Sequence, residues 1–389
     1  MKSKTNLRDF SSASDRRLFL EKQLNISLKN IGSFTFTEEQ VSGRNIENLI
    51  GATQIPLGVA GPLTLRTTNN EKRTVYIPLA TTEGALVASA SRGCKAINES
   101  GGAKVLVELV GTTRGPVFKT SGIEHGQKII DWINSHTSQI SQTAQKTSSH
   151  LKLLKIESSL VGRNLFLRFY FETDDAMGMN MVTIATTEAT HLIENKTNAE
   201  LISVAGNYDI DKKPAWLNFI NGRGRKVWAE VTIKKEVVKQ ILKTTPEKIA
   251  EVVLRKVLIG SAMSGSLGFN AHYANTIAAI FTATGQDLGH IVEGSLGMTN
   301  AEVLKNGDLY FSIYLPSLMI GTVGGGTHLP TQQEALKIMG VKGYGDTLKM
   351  AEIIGSGILA LELSLIASQA EGTLAKAHQK LARKGGTRR

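Results

Sequence analysis

The segment Asp174-Asp175-Ala176-Met177-Gly178-Met179-Asn180-Met181 joins a predicted strand to a predicted helix. The strand, residues 164–171, is rich in aromatic and aliphatic side chains, and the helix, residues 182–193, contains Thr, Ala and aliphatic residues without a breaker. Asp174 or Asp175 could cap this helix, and Gly178 would let a ligand approach the backbone closely. Because a helix N-terminus favours anions, the segment could bind one, although its spacing is not that of a Rossmann glycine loop. The alternative is an ordinary capped helix with packed Met side chains.

Composition limits the classes of protein that fit. The chain has 389 residues, 41% of them hydrophobic and 20% charged, which is typical of a globular protein with two domains. Its formal charge of +11 favours anionic partners. The basic residues are scattered outside the tail 380–389 and no base-reading motif is present, so a phosphorylated cofactor or CoA fits better than nucleic acid.

The same composition bears on metals and membranes. Cys94 is the single cysteine, so a disulfide within the chain or a cysteine-based metal site is excluded, and we expect no metal. Residues 1–17 lack the apolar core of a signal peptide. The apolar stretch 353–370 contains Glu362, which favours a buried helix over a membrane span. We therefore expect a cytoplasmic protein without a membrane anchor.

Six blocks, in order along nearly the whole chain, resemble the 3-hydroxy-3-methylglutaryl-CoA (HMG-CoA) reductase family. Asp-Ala-Met-Gly-Met-Asn at 175–180 is similar to the dinucleotide-binding signature of that family. The other blocks are Glu-Asn-Leu-Ile-Gly at 47–51 with Ile-Pro-Leu-Gly-Val-Ala-Gly-Pro-Leu at 55–63, Ala-Thr-Thr-Glu-Gly at 80–84, Gly-Asn-Tyr at 206–208 with Asp-Lys-Lys-Pro at 211–214, Gly-Gln-Asp at 285–287 and Gly-Thr-Val-Gly-Gly-Gly-Thr at 321–327.

The fold class expected is α+β. From residue 114 to 205 the pattern reads strand, helix, strand, strand, helix, strand, which is the ferredoxin-like order. The resemblance implies that residues 114–204 are a small dinucleotide-binding domain inserted into a large, mostly helical domain. That large domain, residues 1–113 and 205–389, is expected to hold a mixed sheet, a helix begun by Thr245 and Pro246, and a long C-terminal helical stretch, residues 347–381.

Three side chains inside these blocks, together with His378 beyond them, suit the reduction of a thioester. By resemblance, Lys212 is the cation that polarises the carbonyl and stabilises its oxyanion, and Glu83 donates a proton to the substrate oxygen. Asp287 would couple Lys212 to Glu83, and His378, with Arg383 five positions later, would protonate the leaving CoA thiolate. Taken singly, each has an ordinary alternative: Glu83 as a first-turn acid behind a Thr82 cap, Asp287 as a loop cap, Lys212 and His378 as surface residues.

The resemblance also implies the residues that bind cofactor and substrate. The cofactor-binding residues are Asp175, Ala176, Met177, Gly178, Met179, Asn180, Gly326 and Thr327. The substrate-binding residues are Glu47, Asn48, Arg92, Arg114, Asp211, Lys213, Lys256 and Asn270, of which Asn270 would also hold Lys212 and Asp287.

The cofactor expected is NADPH, with NADH as the less favoured choice. The Gly-Gln-Asp block and the short His-bearing tail are nearer the NADPH-using branch. Two departures stand against a full match: Ala205 replaces the serine of the eukaryotic branch, and Ser148 and Ser149 fall where an arginine reads the 2′-phosphate, so that Lys146 or Lys152 would have to substitute.

The activity implied is reduction of HMG-CoA to mevalonate and CoA with two NADPH, in isoprenoid biosynthesis. Because the family forms its active site between subunits, a homodimer or larger assembly follows. The alternatives are an NADH-dependent enzyme of the mevalonate-degrading direction, another CoA-ester enzyme on the same scaffold such as an acyltransferase, and a non-catalytic CoA-ester-binding protein.

Overall fold

A computed structural model describes residues 7–372 of the chain. The strands in this part are β1 (Leu57–Arg66), β2 (Lys72–Ala80), β3 (Ala103–Arg114), β4 (Val117–Lys119), β5 (Lys152–Val161), β6 (Asn164–Glu172), β7 (Glu200–Ser203), β8 (Gly224–Ile233), β9 (Gly268–Phe269), β10 (Gly297–Val303) and β11 (Leu309–Leu318).

The α-helices are α1 (Ala13–Leu24), α2 (Glu38–Val41), α3 (Leu86–Glu99), α4 (Ile123–Ser135), α5 (Thr137–Gln145), α6 (Met179–Thr197), α7 (Trp216–Asn221), α8 (Lys235–Val237), α9 (Pro246–Val252), α10 (Ser261–Met263), α11 (Tyr273–Thr284), α12 (Ile291–Gly294), α13 (Pro330–Ile338) and α14 (Thr347–Glu371). Shorter 3-10 turns span Leu7–Asp9, Leu288–His290 and Gly325–His328, and π-helical turns span Val238–Leu242 and Val253–Gly260.

A mixed sheet packed against the long helix α14 forms the larger part of the molecule. The strands run in the order β3-β8-β11-β10-β9, with β1 and β2 continuing beyond β3. The β1–β3 and β9–β10 pairs are parallel, whereas β3–β8, β8–β11 and β10–β11 are antiparallel. This confirms the mixed sheet and the α+β class.

Helix α14 is the central helix of this core. It passes so close to α3 that a Cβ on Gly93 would lie 1.9 Å from the backbone oxygen of Ala360, so only glycine fits there. The helix is long and apolar enough to cross a membrane, but 94% of its apolar window is buried inside the protein, as in the core helix of a globular domain. The rest of the predicted helical stretch, residues 373–381, lies outside the described residues.

The ferredoxin-like unit is confirmed by its strand order. Strands β7, β4, β6 and β5 lie side by side in that order and all pair antiparallel. The helices α4, α5 and α6 cover this sheet and share with it a hydrophobic core separate from that of the large sheet. Strand β3 belongs to both sheets: it pairs with β8 along most of its length and with β6 at its end, residues 112–114.

Some predicted elements differ in their limits. The first helix of the predicted strand-helix-strand order, which the sequence predicts as one polar helix over residues 123–149, is two helices, α4 and α5. The side chains of His136 and Thr137 bind the carbonyls of Trp132 and Ile133 at 2.9 Å and so compete with the helix ladder at the junction. Helix α3 begins after Ala85, whose φ is 74°, so Thr82 does not cap it. In contrast, Thr245 caps α9 and Pro246 is its first residue, as predicted.

Candidate active site

A cavity of about 850 Å³ opens where the small unit meets the large sheet. Its walls come from the start of α6, from the loop after α11 and from the glycine-rich segment 321–327. The predicted site residues that line it are Arg114, Ala176, Met177, Gly178, Met179, Asn180, Asp211, Lys212, Asp287, Gly326 and Thr327. Arg44 and Asn45 line it as well, and the Asn45 amide donates to the carbonyl of Gly325 at 3.0 Å. The fold thus gathers most of the predicted cofactor residues and half of the catalytic set.

The N-terminus of α6 faces the cavity with Gly178 at the cap position. Gly178 has φ 88°, and a Cβ there would lie 2.5 Å from the Thr173 side chain. Neither Asp174 nor Asp175 caps the helix, contrary to the prediction, and no side chain among the described residues binds its first-turn amides. Those amides are therefore available to an anion.

Asp175 instead joins the small unit to the start of α14. Its carboxylate accepts hydrogen bonds from the Gly345 amide at 2.7 Å and from the Thr347 hydroxyl at 2.6 Å. Its backbone oxygen accepts from the amide of Thr322 at 2.8 Å. Burial raises the pKa of Asp175, but the hydrogen bonds from Gly345 and Thr347 outweigh it and lower the pKa overall. Asp175 thus positions the segment 176–180 without lining the cavity.

Gln286 holds the loop that carries Asp287. Its buried amide donates to the carbonyl of Gly321 and accepts from the amide of Gly321, both at 2.9 Å. Beside it, a Cβ on Gly285 would lie 2.3 Å from the backbone oxygen of Gly326, so the two loops touch backbone to backbone. No role was predicted for Gln286 from the sequence. Its place in the Gly-Gln-Asp block was the only sign that it lies near the site.

Lys212 and Asp287 form an ion pair, called here the lysine–aspartate pair. The Lys212 Nζ lies 2.8 Å from Asp287 Oδ2, and Asp287 Oδ1 accepts from the Gly289 amide at 2.9 Å. The hydrogen bond to Asp287 raises the pKa of Lys212. Burial raises the pKa of Asp287, but the hydrogen bonds from Lys212 and Gly289 lower it overall. Asp287 is therefore both a loop cap and the partner of Lys212, and the pair presents a fixed ammonium to the cavity.

A buried charged group lies behind this pair. Arg223 contacts Glu293 Oε1 at 2.5 Å and Asp211 Oδ1 at 3.1 Å, and its Nε donates to Thr113. His290 binds Glu293 through Nδ1 at 2.7 Å. Arg223, His290 and Glu293 were not predicted from the sequence, since single residues outside a recognised block carry no spacing signal.

Of the predicted substrate residues, Arg114 and Asp211 line the cavity, whereas Lys213, Arg92 and Asn270 do not. Arg114, at the cavity, is held by buried Asp209 at 3.1 Å, and Lys213 binds the backbone oxygen of Asp211 at 3.1 Å. Arg92 is tied to α14 by hydrogen bonds to Ser364 and Ser368. Asn270 binds the carbonyl of Ser295 and the amide of Tyr273, not the lysine–aspartate pair.

The remaining predicted residues do not line the cavity of this chain. Glu47 and Lys256 are exposed and Asn48 is half-buried. Glu83 is exposed, and its amide donates a hydrogen bond to the Thr81 hydroxyl at 3.0 Å. Within residues 7–372, no hydrogen bond joins Glu83 to Lys212 or Asp287. His378 and Arg383 lie outside the described residues. The predicted coupling of Glu83 to Lys212 is thus not made within one chain.

Comparison with known proteins places these features in one family. The model of the hydroxymethylglutaryl-coenzyme A reductase family matches residues 12–383. The chain is 53% identical to the 3-hydroxy-3-methylglutaryl-coenzyme A reductase of Methanocaldococcus jannaschii over 95% of its own length and 92% of the relative's. It is 50% identical to that of Pyrococcus abyssi, with the same shares covered.

The fold is also that of a solved structure. A class II HMG-CoA reductase from Streptococcus pneumoniae, bound to NADPH in open conformations, superposes with a TM-score of 0.70 at 19% identity. The match covers 94% of this chain and 99% of that one.

Proposed function

The chain belongs to the hydroxymethylglutaryl-coenzyme A reductase family, and from that premise we propose that it reduces HMG-CoA to mevalonate and CoA. The balanced reaction consumes two NADPH and two protons and releases two NADP⁺. The observation that carries the proposal is that the lysine–aspartate pair and the open N-terminus of α6 line one cavity.

Lys212 is proposed to stabilise the oxyanion. Each of the two reductive steps places negative charge on the carbonyl oxygen, and a fixed ammonium in a partly closed cavity stabilises that charge. Asp287 holds the ammonium 2.8 Å from its carboxylate and raises the pKa of Lys212, so the cation persists at neutral pH. Arg114, held by Asp209 in the cavity wall, is placed to meet an anionic part of the substrate.

The residues at the start of α6 suit a dinucleotide. The uncapped first-turn amides and Gly178 offer a phosphate site, and the segment 324–327 forms the facing wall. When bound, NADPH supplies the hydrides of both steps. We propose NADPH over NADH because the S. pneumoniae reductase structure is bound to NADPH and because this chain carries a net positive charge.

Glu83 and His378 keep their predicted roles as proton donors to the substrate oxygen and to the CoA thiolate. Because Glu83 makes no contact with the lysine–aspartate pair in its own chain, we propose that it reaches the pair of a second copy in a homodimer or larger assembly. We also propose a cytoplasmic location and the biosynthetic direction.

The test is the absorbance of NADPH, and separately of NADH, with HMG-CoA and purified protein. We expect two NADPH oxidised per HMG-CoA. A preference for NADPH of roughly tenfold to a hundredfold is expected, because one charge-assisted contact to the 2′-phosphate contributes about 1.5–3 kcal/mol. Equal or better use of NADH would contradict the cofactor proposal. An acyltransferase or a non-catalytic CoA-ester-binding protein would oxidise neither.

A further inference from the structure

Behind the lysine–aspartate pair, four charged or titratable side chains are packed together and take no part in the proposed steps. They are Asp211, Arg223, His290 and Glu293. The ligand atoms of Asp211, His290 and Glu293 lie within 4.8 Å of one another, a spacing that could suit a metal ion. However, Arg223 already contacts both carboxylates, at 3.1 Å and 2.5 Å. The group is therefore a charge network whose positive centre is Arg223.

His290 links this network to the pair. Its ring is fully buried, and its Nδ1 lies 2.7 Å from Glu293 Oε1 and 3.8 Å from Asp211 Oδ1. Its Nε2 lies 3.7 Å from Asp287 Oδ2 and has no hydrogen-bond partner within residues 7–372. Since Nδ1–H donates a hydrogen bond to the carboxylate of Glu293, the protonation state of Nε2 decides what Asp287 faces. A protonated Nε2 presents a cation to Asp287, whereas a neutral one presents a lone pair to a carboxylate.

The balance of charge favours the protonated ring. The charged groups facing His290 are Asp211, Arg223, Glu293, Lys212 and Asp287. Three are negative and two are positive, so the group carries a net charge of −1 with a neutral imidazole and zero with an imidazolium. His290, Arg223 and Glu293 are fully buried, and an uncompensated charge among them is unfavourable. The charge of His290 also contributes to the lowered pKa of Asp287, after the hydrogen bonds from Lys212 and Gly289 and against the effect of burial.

We propose that His290 is a positioning residue, whose imidazolium keeps Asp287 ionised and directed at Lys212. His290 does not line the cavity, so it acts on the reaction through the side chains it faces, of which Asp287 is the partner of Lys212. The kinetic test of this role rests on the proposed function, whereas the test of its charge does not.

The kinetic test compares His290→Gln with the wild type. Glutamine can still donate to Glu293 but carries no charge. Because an opposite charge within about 4–6 Å lowers the pKa of a carboxyl by about 1–3 units, the acid limb of the kcat profile should move to higher pH by at least about one unit. The KM values for HMG-CoA and NADPH should hardly change. His191→Gln, an exposed histidine on α6, is the matched control and should leave the profile unchanged. A lower kcat at every pH without a shift of the limb would overturn the proposal.

The charge is tested directly by ¹⁵N NMR of histidine-labelled wild-type protein. The chain has eight histidines, so single substitutions of the other seven identify the signal of His290 by elimination, without a variant at that position. We expect both ring nitrogens to be protonated throughout the pH range of activity. A deprotonated Nε2 in that range would overturn the proposal. If the wild type failed to reduce HMG-CoA but His290 were doubly protonated, the proposed function would fail and the charge assignment would stand.

Discussion

Lys212 has a left-handed backbone (φ 56°), and so do its neighbours Asn207 (φ 64°) and Ile210 (φ 53°). For a β-branched residue such as Ile210 this conformation is a clear outlier, and each such residue costs on the order of 1–3 kcal/mol. The buried amide of Asn218 holds the strained backbone by donating to the Ile210 carbonyl at 3.0 Å. The loop therefore presents Lys212 in one direction before any ligand binds.

Loss of the Lys212 ammonium should stop both reductive steps. We expect Lys212→Ala to reduce HMG-CoA about a hundredfold to a thousandfold more slowly, as when one oxyanion-stabilising group is removed. The same loss is expected with free mevaldehyde, the intermediate between the two reductive steps.

His378→Gln should slow only the reduction of HMG-CoA, because the CoA thiolate leaves only between the two steps. The control is Lys239→Ala, which replaces an exposed lysine elsewhere in the chain. NADPH oxidation is measured with each substrate, and mevaldehyde reduction that survives in Lys212→Ala would refute the oxyanion role.

At the scale of residues, the catalytic pair that the structure confirms as neighbours was predicted from recognisable blocks. Lys212 and Asp287 stand in short motifs, and they meet at 2.8 Å. His290 and Arg223 act through burial and charge, which depend on three segments meeting in space. A single histidine in a sequence carries no sign of such an environment.

At the scale of elements, Asp175 shows how a helix can be capped from a distant segment. Helix α14 has Asp346 at its cap position, but that side chain does not bind the helix and accepts from the Lys342 amide instead. The amide and hydroxyl of Thr347 bind Asp175. The core helix of the large sheet and the cofactor segment of the small unit are thus fixed to each other.

Asp175→Asn should weaken this junction in a pH-dependent way. We expect it to lower the free energy of unfolding by about 1–3 kcal/mol, because asparagine keeps an acceptor for Thr347 but turns its NH2 donor toward the Gly345 amide. The pKa of Asp175 is lowered in the folded chain. Its contribution is therefore full above the ordinary Asp pKa of about 3.9 and is lost as pH falls through the folded value. Urea unfolding of both proteins should show a constant difference from pH 5 to 7 that shrinks below about pH 4.

Asp174→Asn is the matched control for that measurement. Asp174 is the preceding residue, is exposed, and has a left-handed backbone (φ 48°) that asparagine tolerates. Its ion pair with His150 is also exposed, so its loss should change stability little. Equal effects of the two substitutions would show that Asp175 does not cap α14.

The elements of the small unit were largely predictable, and their ends were less so. The βαββαβ order follows from strand and helix patterns, and the structure confirms it. The predicted cap of α6 was wrong, because Asp175 binds the start of α14 instead. The sequence does not distinguish an aspartate that caps the next helix from one that binds a distant segment. The strands β3 and β8 to β11 were not predicted individually, although a mixed sheet was expected, and β3 pairs with two sheets. The limits of the inserted domain, 114–204, stay a prediction.

At the scale of the whole molecule, the proposed site is incomplete in one chain. Lys212 and Asp287 line the cavity, whereas Glu83 is exposed after β2 and, within residues 7–372, has no hydrogen bond or ion pair with either. A proton donor to the substrate oxygen has to lie within hydrogen-bond reach of it. If Glu83 has that role, it is supplied by a second copy, and each site of a symmetric dimer takes Glu83 from one chain and Lys212 from the other.

Mixing experiments distinguish a shared site from a separate one. Glu83→Gln and Lys212→Ala chains, each inactive alone, are refolded together in equal amounts. With shared sites, half of the dimers are mixed and each has one intact site, so about a quarter of wild-type activity should return. With sites inside single chains, none should return.

The converse mixture combines the doubly substituted chain with an equal amount of wild type. Shared sites predict about a quarter of full activity for this mixture, and separate sites predict about half. The two mixtures must agree, since a return of activity in the first and half activity in the second would be incompatible with either arrangement. A fully active monomer in solution would place Glu83 and Lys212 in the same chain and remove the need for a partner.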